Sequence, residues 1–237
     1  MNSRILVISL LLTGPAVLAV ALIGLALQDP TAVDSWWHDL MAAFRAAPLD
    51  AVALFLDRFG AHALGFGLVP ALLAVCLLLA RRRRAVIGLL AVGLVSYGVV
   101  QLLKQLIDRA RPEDMLTLSD AGSYPSGHVT NVATLLVFVA LVFARPWIWS
   151  LAAGYIVLMA WSRTYLHAHW LSDTLAGIVL GGALACLAFS VVELSRSPGR
   201  GGWRGASQPT SVRIEPVVRI ERRRNDSSLT SPPPRRR

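Results

Sequence analysis

Three short segments between residues 104 and 173 carry the side chains that phosphate chemistry requires. Their ionisable and small residues are Lys104, Arg111, Ser126, Gly127, His128, Arg163, His169 and Asp173. Guanidinium groups bind phosphate oxygens in pairs, and an ammonium adds a compact positive charge. An imidazole can attack phosphorus or move a proton. Together these residue types predict a site for phosphoryl transfer.

The middle segment, PSGH, stands directly before a long apolar run. Ser126 is a favourable N-cap for a helix, and Gly127 allows a backbone or a ligand to approach closely. The helix that follows would point its free N–H groups and its positive end at this spot. We therefore expect an anion to bind there, with His128 beside it.

The last segment, SRTYLHAHWLSD, supplies a nucleophile. His169 and Asp173 are four residues apart, so on the first turn of a helix the carboxylate can accept the proton on Nδ1 of the imidazole. The other ring nitrogen, Nε2, then stays unprotonated and can attack. His167 lies six residues from Asp173 and cannot share this carboxylate on a regular helix, so we interpret it as structural.

The first segment, KQLIDRARP, contains the only lysine among the 23 Lys and Arg residues. A helix that continues to Pro112 would place Lys104 and Arg111, two turns apart, on one face. Arg109 falls off that face. We assign it to the lipid headgroup region or to a local ion pair with Asp108.

The elements that must hold these segments are predicted to be membrane helices. The chain is 55% hydrophobic and 16% charged, with a mean hydropathy of +0.57. Crossing the hydrocarbon layer takes about 20 apolar residues. Six runs approach or reach this length: 5–27, 61–80, 85–103, 129–144, 147–161 and 173–194. The sequence therefore predicts an all-α, six-helix transmembrane bundle over residues 1–194, followed by a disordered basic tail over residues 195–237.

The arginines predict the orientation of this bundle. If the six runs alternate, the block Arg81–Arg84, Arg145 and the tail fall on one side, which the preference for basic loops inside makes cytoplasmic. The three phosphate-binding segments then lie together at the extracytoplasmic face of the cell membrane. The first run is interpreted as an uncleaved helix, with a signal peptide ending near Gly24-Leu25-Ala26 as the alternative.

The tail contains eleven arginines and three acidic residues, so it carries a net charge of +8 out of the total of +9. We interpret it as a solvated segment that fixes topology, with contact to anionic lipids as the alternative. No folded basic module accompanies the charge, and nucleic-acid binding is therefore not expected.

At this point the motifs resemble those of the type 2 phosphatidic acid phosphatase superfamily. Lys104 precedes Arg111-Pro112 by the family's spacing, PSGH follows, and Ser162-Arg163 precedes His169 and Asp173 by the family's third spacing. Every position of the signature is present. The motifs cover residues 104–173 and the predicted bundle covers residues 1–194, so the tail lies outside the resemblance.

The resemblance implies a phosphohydrolase that needs no metal or other cofactor. His169 would attack phosphorus and form a phosphohistidine, Asp173 would orient it, and His128 would protonate the departing oxygen and then activate water. The residues implied to hold the non-bridging oxygens are Lys104, Arg111, Ser126, Gly127 and Arg163. The outer acidic residues also show no ligand-like spacing for a metal; they are Asp108, Glu113, Asp114 and Asp120.

An outward-facing site at the bilayer edge favours a lipid phosphate over a water-soluble substrate. The family includes phosphatases of undecaprenyl pyrophosphate, phosphatidate and phosphatidylglycerophosphate, and the outward face favours recycling of a polyprenyl carrier. The alternative from another class is an anion or lipid transporter or channel that uses the same polar cluster. That hypothesis predicts polar residues at the bilayer midplane, where this chain has mainly Leu, Val, Ala and Gly. A vanadate-dependent oxidase shares the anion pocket, but such relatives are generally soluble.

Overall fold

The structure is a computed structural model that describes residues 2–60, 64–118 and 122–195. Its α-helices are α1 Asn2–Ala26, α2 Ala32–Ala43, α3 Ala47–Gly60, α4 Val69–Leu79, α5 Arg83–Ile107, α6 Gly127–Phe143, α7 Pro146–Tyr165 and α8 Leu171–Ser195. A short π-helix, Leu64–Leu68, leads into α4. These ranges contain no strand, so the all-α prediction is confirmed for them. The predicted tail lies, apart from Ser195, outside the described residues.

Within the described residues, each of the six predicted apolar runs coincides with a helical segment. Three of the described helices are long and apolar enough to cross a membrane: Leu6–Ala26, Arg83–Ile107 and Leu171–Ser195. Large apolar side chains face outward on them, with Leu12 67% and Leu94 75% exposed. Such surfaces suit a hydrocarbon solvent, and this chain is a membrane protein. The count of six spans stays a prediction, since α4 and α6 are shorter apolar helices.

Helices α6 and α8 pack together with their backbones almost in contact. A Cβ added at Gly181 would lie 2.5 Å from the Thr130 carbonyl oxygen, and one at Gly177 would lie 3.0 Å from that of Ser126. Small residues permit this approach in membrane bundles. The Ser126 N–H donates to the Asp173 carbonyl at 3.0 Å. The beginnings of α6 and α8, and with them the second and third motifs, therefore meet.

Helix α1 lies along α8 and reaches the loop before α6. The hydroxyls of Ser9 and Ser190 are 2.5 Å apart, and the Tyr124 hydroxyl donates to the Val20 carbonyl at 2.8 Å. The Tyr124 ring fills the space beside Gly24, where an added Cβ would lie 2.5 Å from it. The loop carrying PSGH is thus held against the first helix of the chain.

Two helices occupy residues 28–60, the segment between the first two apolar runs, which the predicted orientation places outside the membrane. Helix α2 begins after Thr31, whose side chain forms a reciprocal capping box with Asp34. Met41 of α2 and Ala53 of α3 pack in one apolar cluster with Tyr165 at the end of α7. These outer helices therefore cover the same end of the bundle that carries the third motif.

Helix α5 ends earlier than predicted. Its last residue is Ile107, and Asp108 follows in the left-handed conformation, with a φ of 45° and its N–H bonded to the Lys104 carbonyl. The expectation that the helix continues to Pro112 is wrong because this left-handed C-cap turns the chain away from the helix axis. Lys104 and Arg111 consequently do not share a helix face.

The arginine block Arg81–Arg84 lies at the opposite end of the bundle from the motifs. Arg84 Nη1 donates to the Ser195 carbonyl at 2.6 Å, which joins the beginning of α5 to the end of α8. The motifs lie at the end of α5 and the beginning of α8. The 25 residues of α5 separate the two ends by about 37 Å at 1.5 Å per residue.

Candidate active site

Lys104 and Arg111 meet at one backbone carbonyl, although they are not on one helix. Lys104 Nζ donates to the Gly122 oxygen at 2.7 Å, and Arg111 Nη2 donates to the same oxygen at 2.9 Å. Gly122 has a φ of 66°, and an added Cβ would lie 3.0 Å from the Lys104 carbonyl oxygen. Glycine suits this position because it adopts positive φ without strain and leaves room for the lysine.

Arg111 also joins the first motif to the third. Its Nη1 donates to the Ala168 carbonyl at 2.6 Å and lies 3.3 Å from Nε2 of His169. The guanidinium therefore stands directly in front of the ring nitrogen predicted to attack phosphorus.

The His169 side chain is 2% exposed, and the Ser123 carbonyl fixes the tautomer of its imidazole. Nδ1 lies 2.7 Å from the Ser123 oxygen and 3.5 Å from Oδ2 of Asp173. Because a carbonyl oxygen only accepts, Nδ1 carries the proton and Nε2 keeps its lone pair. The prediction that the Asp173 carboxylate accepts this proton is corrected: His169 precedes α8, and the ring turns to the nearer carbonyl.

The surroundings of His169 keep it neutral. Burial, followed by the positive charges of Arg111, Arg163 and Lys104, holds the pKa of the imidazole well below its ordinary value. His128 acts on it in the same direction. The structure thus gathers predicted residues of all three motifs around one neutral imidazole.

Asp173 is fully buried, and its main partner is Arg109. Arg109 Nη1 lies 2.6 Å from Oδ1 of Asp173, while the Trp170 N–H donates to Oδ2 at 2.9 Å. Arg109 is 1% exposed, so its assignment to the headgroup region or to a pair with Asp108 is wrong. The turn at Asp108 takes Arg109 off the helix surface and into the interior.

Arg109 is held from its other side by Asp34, which the sequence analysis did not single out. Arg109 Nη2 lies 3.1 Å from Oδ2 of Asp34, and the Ser172 N–H and hydroxyl each donate to Asp34 at 2.8 Å. Burial acts to raise the pKa of Asp34, but hydrogen bonds from Ser172, Thr31 and Arg109 lower it overall. The capping-box pattern at Thr31 and Asp34 predicts the start of α2 but not this second role.

His128 and Arg163 meet at a second unpredicted carboxylate, Asp57 of α3. Arg163 Nη1 forms an ion pair with Oδ1 of Asp57, and His128 Nε2 lies 3.5 Å from the same oxygen. The Thr117 hydroxyl donates to the other oxygen at 2.9 Å. Asp57 therefore connects the second and third motifs, and it gives a protonated His128 a counter-ion.

Ser126 stands at the N-cap of α6, as predicted, but its side chain makes no capping bond. Its hydroxyl is buried and has no hydrogen-bond partner within the described ranges, which leaves it available to a ligand. Gly127 begins the helix, and an added Cβ there would lie 3.5 Å from Val100, an ordinary contact. Packing alone does not require glycine at this position.

The chain is similar to known proteins over the part that contains the three motifs. Residues 84–197 match the model of the PAP2 superfamily. A decaprenylphosphoryl-5-phosphoribose phosphatase from Mycobacterium tuberculosis is 31% identical over 162 residues, 64% of this chain and 88% of that protein. An undecaprenyl-diphosphatase from Sulfolobus acidocaldarius is 27% identical over 152 residues, 61% of this chain and 71% of that protein.

The fold is also similar to a solved structure. The crystal structure of a transmembrane PAP2-type phosphatidylglycerolphosphate phosphatase from Bacillus subtilis superposes with a TM-score of 0.65 at 24% identity. The match covers 80% of this chain and 99% of that one. The two proteins therefore share the arrangement of most of the described helices and not only the segments that carry the motifs.

Proposed function

This chain belongs to the PAP2 superfamily and is a phosphatase acting on lipid phosphates, and from that premise we propose that it hydrolyses a polyprenyl pyrophosphate or related lipid through a phosphohistidine at His169. The observation that carries the proposal is the state of this imidazole. Its Nδ1 proton is held by the Ser123 carbonyl, and its Nε2 lone pair faces Arg111. A neutral nitrogen nucleophile beside a guanidinium suits attack on an anionic phosphorus centre.

In the first step, the Nε2 lone pair forms a bond to the terminal phosphorus while the bond from that phosphorus to the leaving oxygen breaks; this is the bridging oxygen of a pyrophosphate or the lipid oxygen of a monophosphate. The electron pair goes to this leaving oxygen, which takes a proton from His128. The imidazole of His169 becomes positively charged as the bond forms, and the Ser123 carbonyl together with the Asp173 carboxylate, 3.5 Å from Nδ1, stabilises that charge.

In the second step, His128 accepts a proton from a water molecule as the water oxygen attacks the phosphohistidine. The bond between phosphorus and Nε2 breaks, inorganic phosphate leaves, and His169 regains its lone pair. Asp57, 3.5 Å from Nε2 of His128, would stabilise the imidazolium that donates in the first step and reforms in the second.

The phosphate oxygens would be held by cations from all three motifs and by the start of α6. The groups proposed for this role are those of Lys104, Arg111, Ser126, Gly127 and Arg163. The buried Ser126 hydroxyl supports its inclusion, since it lacks a partner among the described residues. Donors of this kind act mainly by stabilising the charge on a five-coordinate phosphorus, and loss of one typically costs about 10²–10³ in rate.

Arg109 and Asp34 would act through Asp173 and not on the substrate. Arg109 is bound to both carboxylates and is 1% exposed, so it is a positioning residue. It would fix Asp173 and the beginning of α8, which follows His169 directly.

The active site would face the outside of the cell membrane. Arg81–Arg84 lie at the far end of α5 from Lys104, and basic turns of this kind stay in the cytoplasm. Under the six-span prediction the phosphatase domain covers residues 1–194, and the tail from residue 195 is cytoplasmic. Contact of that tail with anionic lipids remains part of the proposal.

A polyprenyl substrate is favoured by two relatives, the decaprenylphosphoryl-5-phosphoribose phosphatase and the undecaprenyl-diphosphatase. Membership of a phosphatase family favours hydrolysis over the transporter hypothesis.

The test uses purified protein in detergent with a chelator present. The protein is given polyprenyl pyrophosphate, polyprenyl phosphate, phosphatidate and phosphatidylglycerophosphate, each in a separate reaction. We expect phosphate release without added metal, fastest from a polyprenyl lipid. Faster release from a glycerolipid would contradict the substrate, and dependence on a divalent metal would contradict the mechanism.

A further inference from the structure

A second cluster of ionisable side chains lies outside the proposed phosphate site, and it joins three elements that are distant in the chain. Its members are His38 of α2, Asp114 of the segment after α5, and His167 of the turn between α7 and α8. His167 Nδ1 lies 2.6 Å from Oδ2 of Asp114, and His38 Nε2 lies 3.4 Å from Oδ1. The centroids of the two imidazole rings are 3.6 Å apart.

We propose that His38, Asp114 and His167 form a binding site for a divalent transition-metal ion of the Zn²⁺ class, separate from the catalytic centre. One ligand atom from each residue lies within 4.8 Å of the others, close enough to surround a single ion. Two imidazoles and one carboxylate are a ligand set typical of Zn²⁺, with a water molecule completing four-coordination.

The state of His167 is an independent sign of a missing partner. Its side chain has no exposed area, and its backbone adopts the left-handed conformation with a φ of 53°. Nδ1 has Asp114 as its hydrogen-bond partner. Nε2 is buried and makes no hydrogen bond to any described residue. Buried polar atoms without a partner are uncommon and often mark an absent water or ion.

The cluster is also accessible to an ion from the outside. The Asp114 side chain is 53% exposed and that of His38 is 22% exposed, while His167 forms the floor. A nearby positive charge on Arg45 opposes cation binding at His167. We therefore expect micromolar affinity, weaker than that of a closed structural zinc site.

An ion at this position would fasten α2 to the loops of the catalytic centre. Asp114 follows Pro112 of the first motif by two residues, and His167 precedes His169 by two. Helix α2 also carries Asp34, one turn before His38. Asp34 accepts hydrogen bonds from Arg109 and Ser172. Metal binding would thus stabilise the arrangement of the outer loops without contributing a catalytic group.

The experiment uses the full chain in detergent, purified through a tag without histidine and freed of metal. Zn²⁺ is titrated by calorimetry, and Co²⁺ is titrated by visible absorption, which reports four-coordination. We expect one saturable equivalent, with at least a tenfold loss of affinity in Asp114→Asn and in His38→Gln. His128→Gln is the matched control because it removes a histidine of the other site, and its affinity should equal that of the unsubstituted protein.

Thermal unfolding supplies a readout that does not depend on activity. Zn²⁺ should raise the unfolding temperature of the unsubstituted protein and of His128→Gln, and it should have no such effect on Asp114→Asn. Absence of saturable binding would overturn the proposal. So would binding that survives both substitutions in the cluster, or binding that is lost in His128→Gln.

Discussion

Arg109 Nη1 and Asp173 Oδ1 lie 2.6 Å apart in an ion pair from which water is excluded, since neither side chain is exposed. The same guanidinium binds Asp34 of α2. A buried cation between two carboxylates is stable only while both contacts are kept. Arg109 therefore joins the outer helix α2 to the beginning of α8, beside the direct hydrogen bonds from Ser172 to Asp34.

Arg109→Gln should lower the unfolding free energy of the protein and leave substrate binding almost unchanged. It leaves two buried carboxylates without their cation, for which a loss of about 3–5 kcal/mol in unfolding free energy is expected. Thermal unfolding in detergent measures this loss. For activity, kcat should fall while KM changes little, because Arg109 is not proposed to touch phosphate. Arg109→Lys keeps the charge and should restore part of both. An unchanged unfolding temperature in Arg109→Gln would contradict the role assigned to the pair.

His169→Ala should abolish phosphate release and covalent labelling, while the protein still inserts and extracts normally. Labelling is measured with a ³²P-phosphoryl substrate, as radioactivity that is stable to base and labile to acid. His128→Ala should behave differently with a substrate whose leaving group needs no protonation, such as p-nitrophenyl phosphate. The phosphohistidine should then form and persist, because no base activates water.

Two outcomes would contradict these roles. Covalent labelling of His169→Ala would show that His169 is not the nucleophile. Rapid turnover by His128→Ala would show that His128 is not the base that activates water.

Asp57→Asn should lower kcat by about 10–100-fold, since positioned acid and base groups contribute about 10²–10⁴ to such reactions. The carboxylate lies 3.5 Å from Nε2 of His128, and the amide keeps its size but not its charge. With a leaving group that needs no protonation, the loss in the first step should be much smaller. An equal loss with both kinds of substrate would mean that Asp57 acts only by holding Arg163.

Gly181→Ala should destabilise the bundle by about 1–3 kcal/mol, the usual effect of overpacking. The added Cβ would lie 2.5 Å from the Thr130 carbonyl oxygen, a backbone atom that cannot move aside. Gly93→Ala is the matched control, because its Cβ would meet the Leu135 side chain at 3.8 Å. That substitution should be neutral or stabilising, since alanine favours a helix over glycine. Equal unfolding temperatures for the two variants would show that α6 and α8 can separate without loss.

The sequence was sufficient to predict the helices that carry the motifs, because apolar runs and arginine blocks report directly on the membrane. The motif residues could likewise be identified, since phosphate chemistry restricts their types. It was not sufficient to predict the hydrogen bond from His169 to Ser123. That contact depends on a loop conformation in which the carbonyl, and not the carboxylate of Asp173, comes nearest to Nδ1.

The partners from the outer helices were also missed for a physical reason. Asp34 and Asp57 lie 75 residues from Arg109 and 106 from Arg163 respectively, in a segment whose acidic residues resemble any external loop. Only the packing of α2 and α3 over the motif loops selects these two from the five aspartates of the segment. The predicted position of Arg109 was wrong because the prediction extended helical periodicity beyond Asp108, where the chain leaves the helix.

The contact between the first and last helices has a consequence for biogenesis. The Ser9 and Ser190 hydroxyls meet although they lie 181 residues apart in the sequence, and the Tyr124 hydroxyl donates to the Val20 carbonyl of α1. Because translation proceeds from the N-terminus, α1 enters the bilayer before α8. The contact between these two helices can form only after α8 has been inserted. The proposed active site can therefore form only after α8 has entered the bilayer, because α8 carries Asp173 and its beginning packs against the beginning of α6.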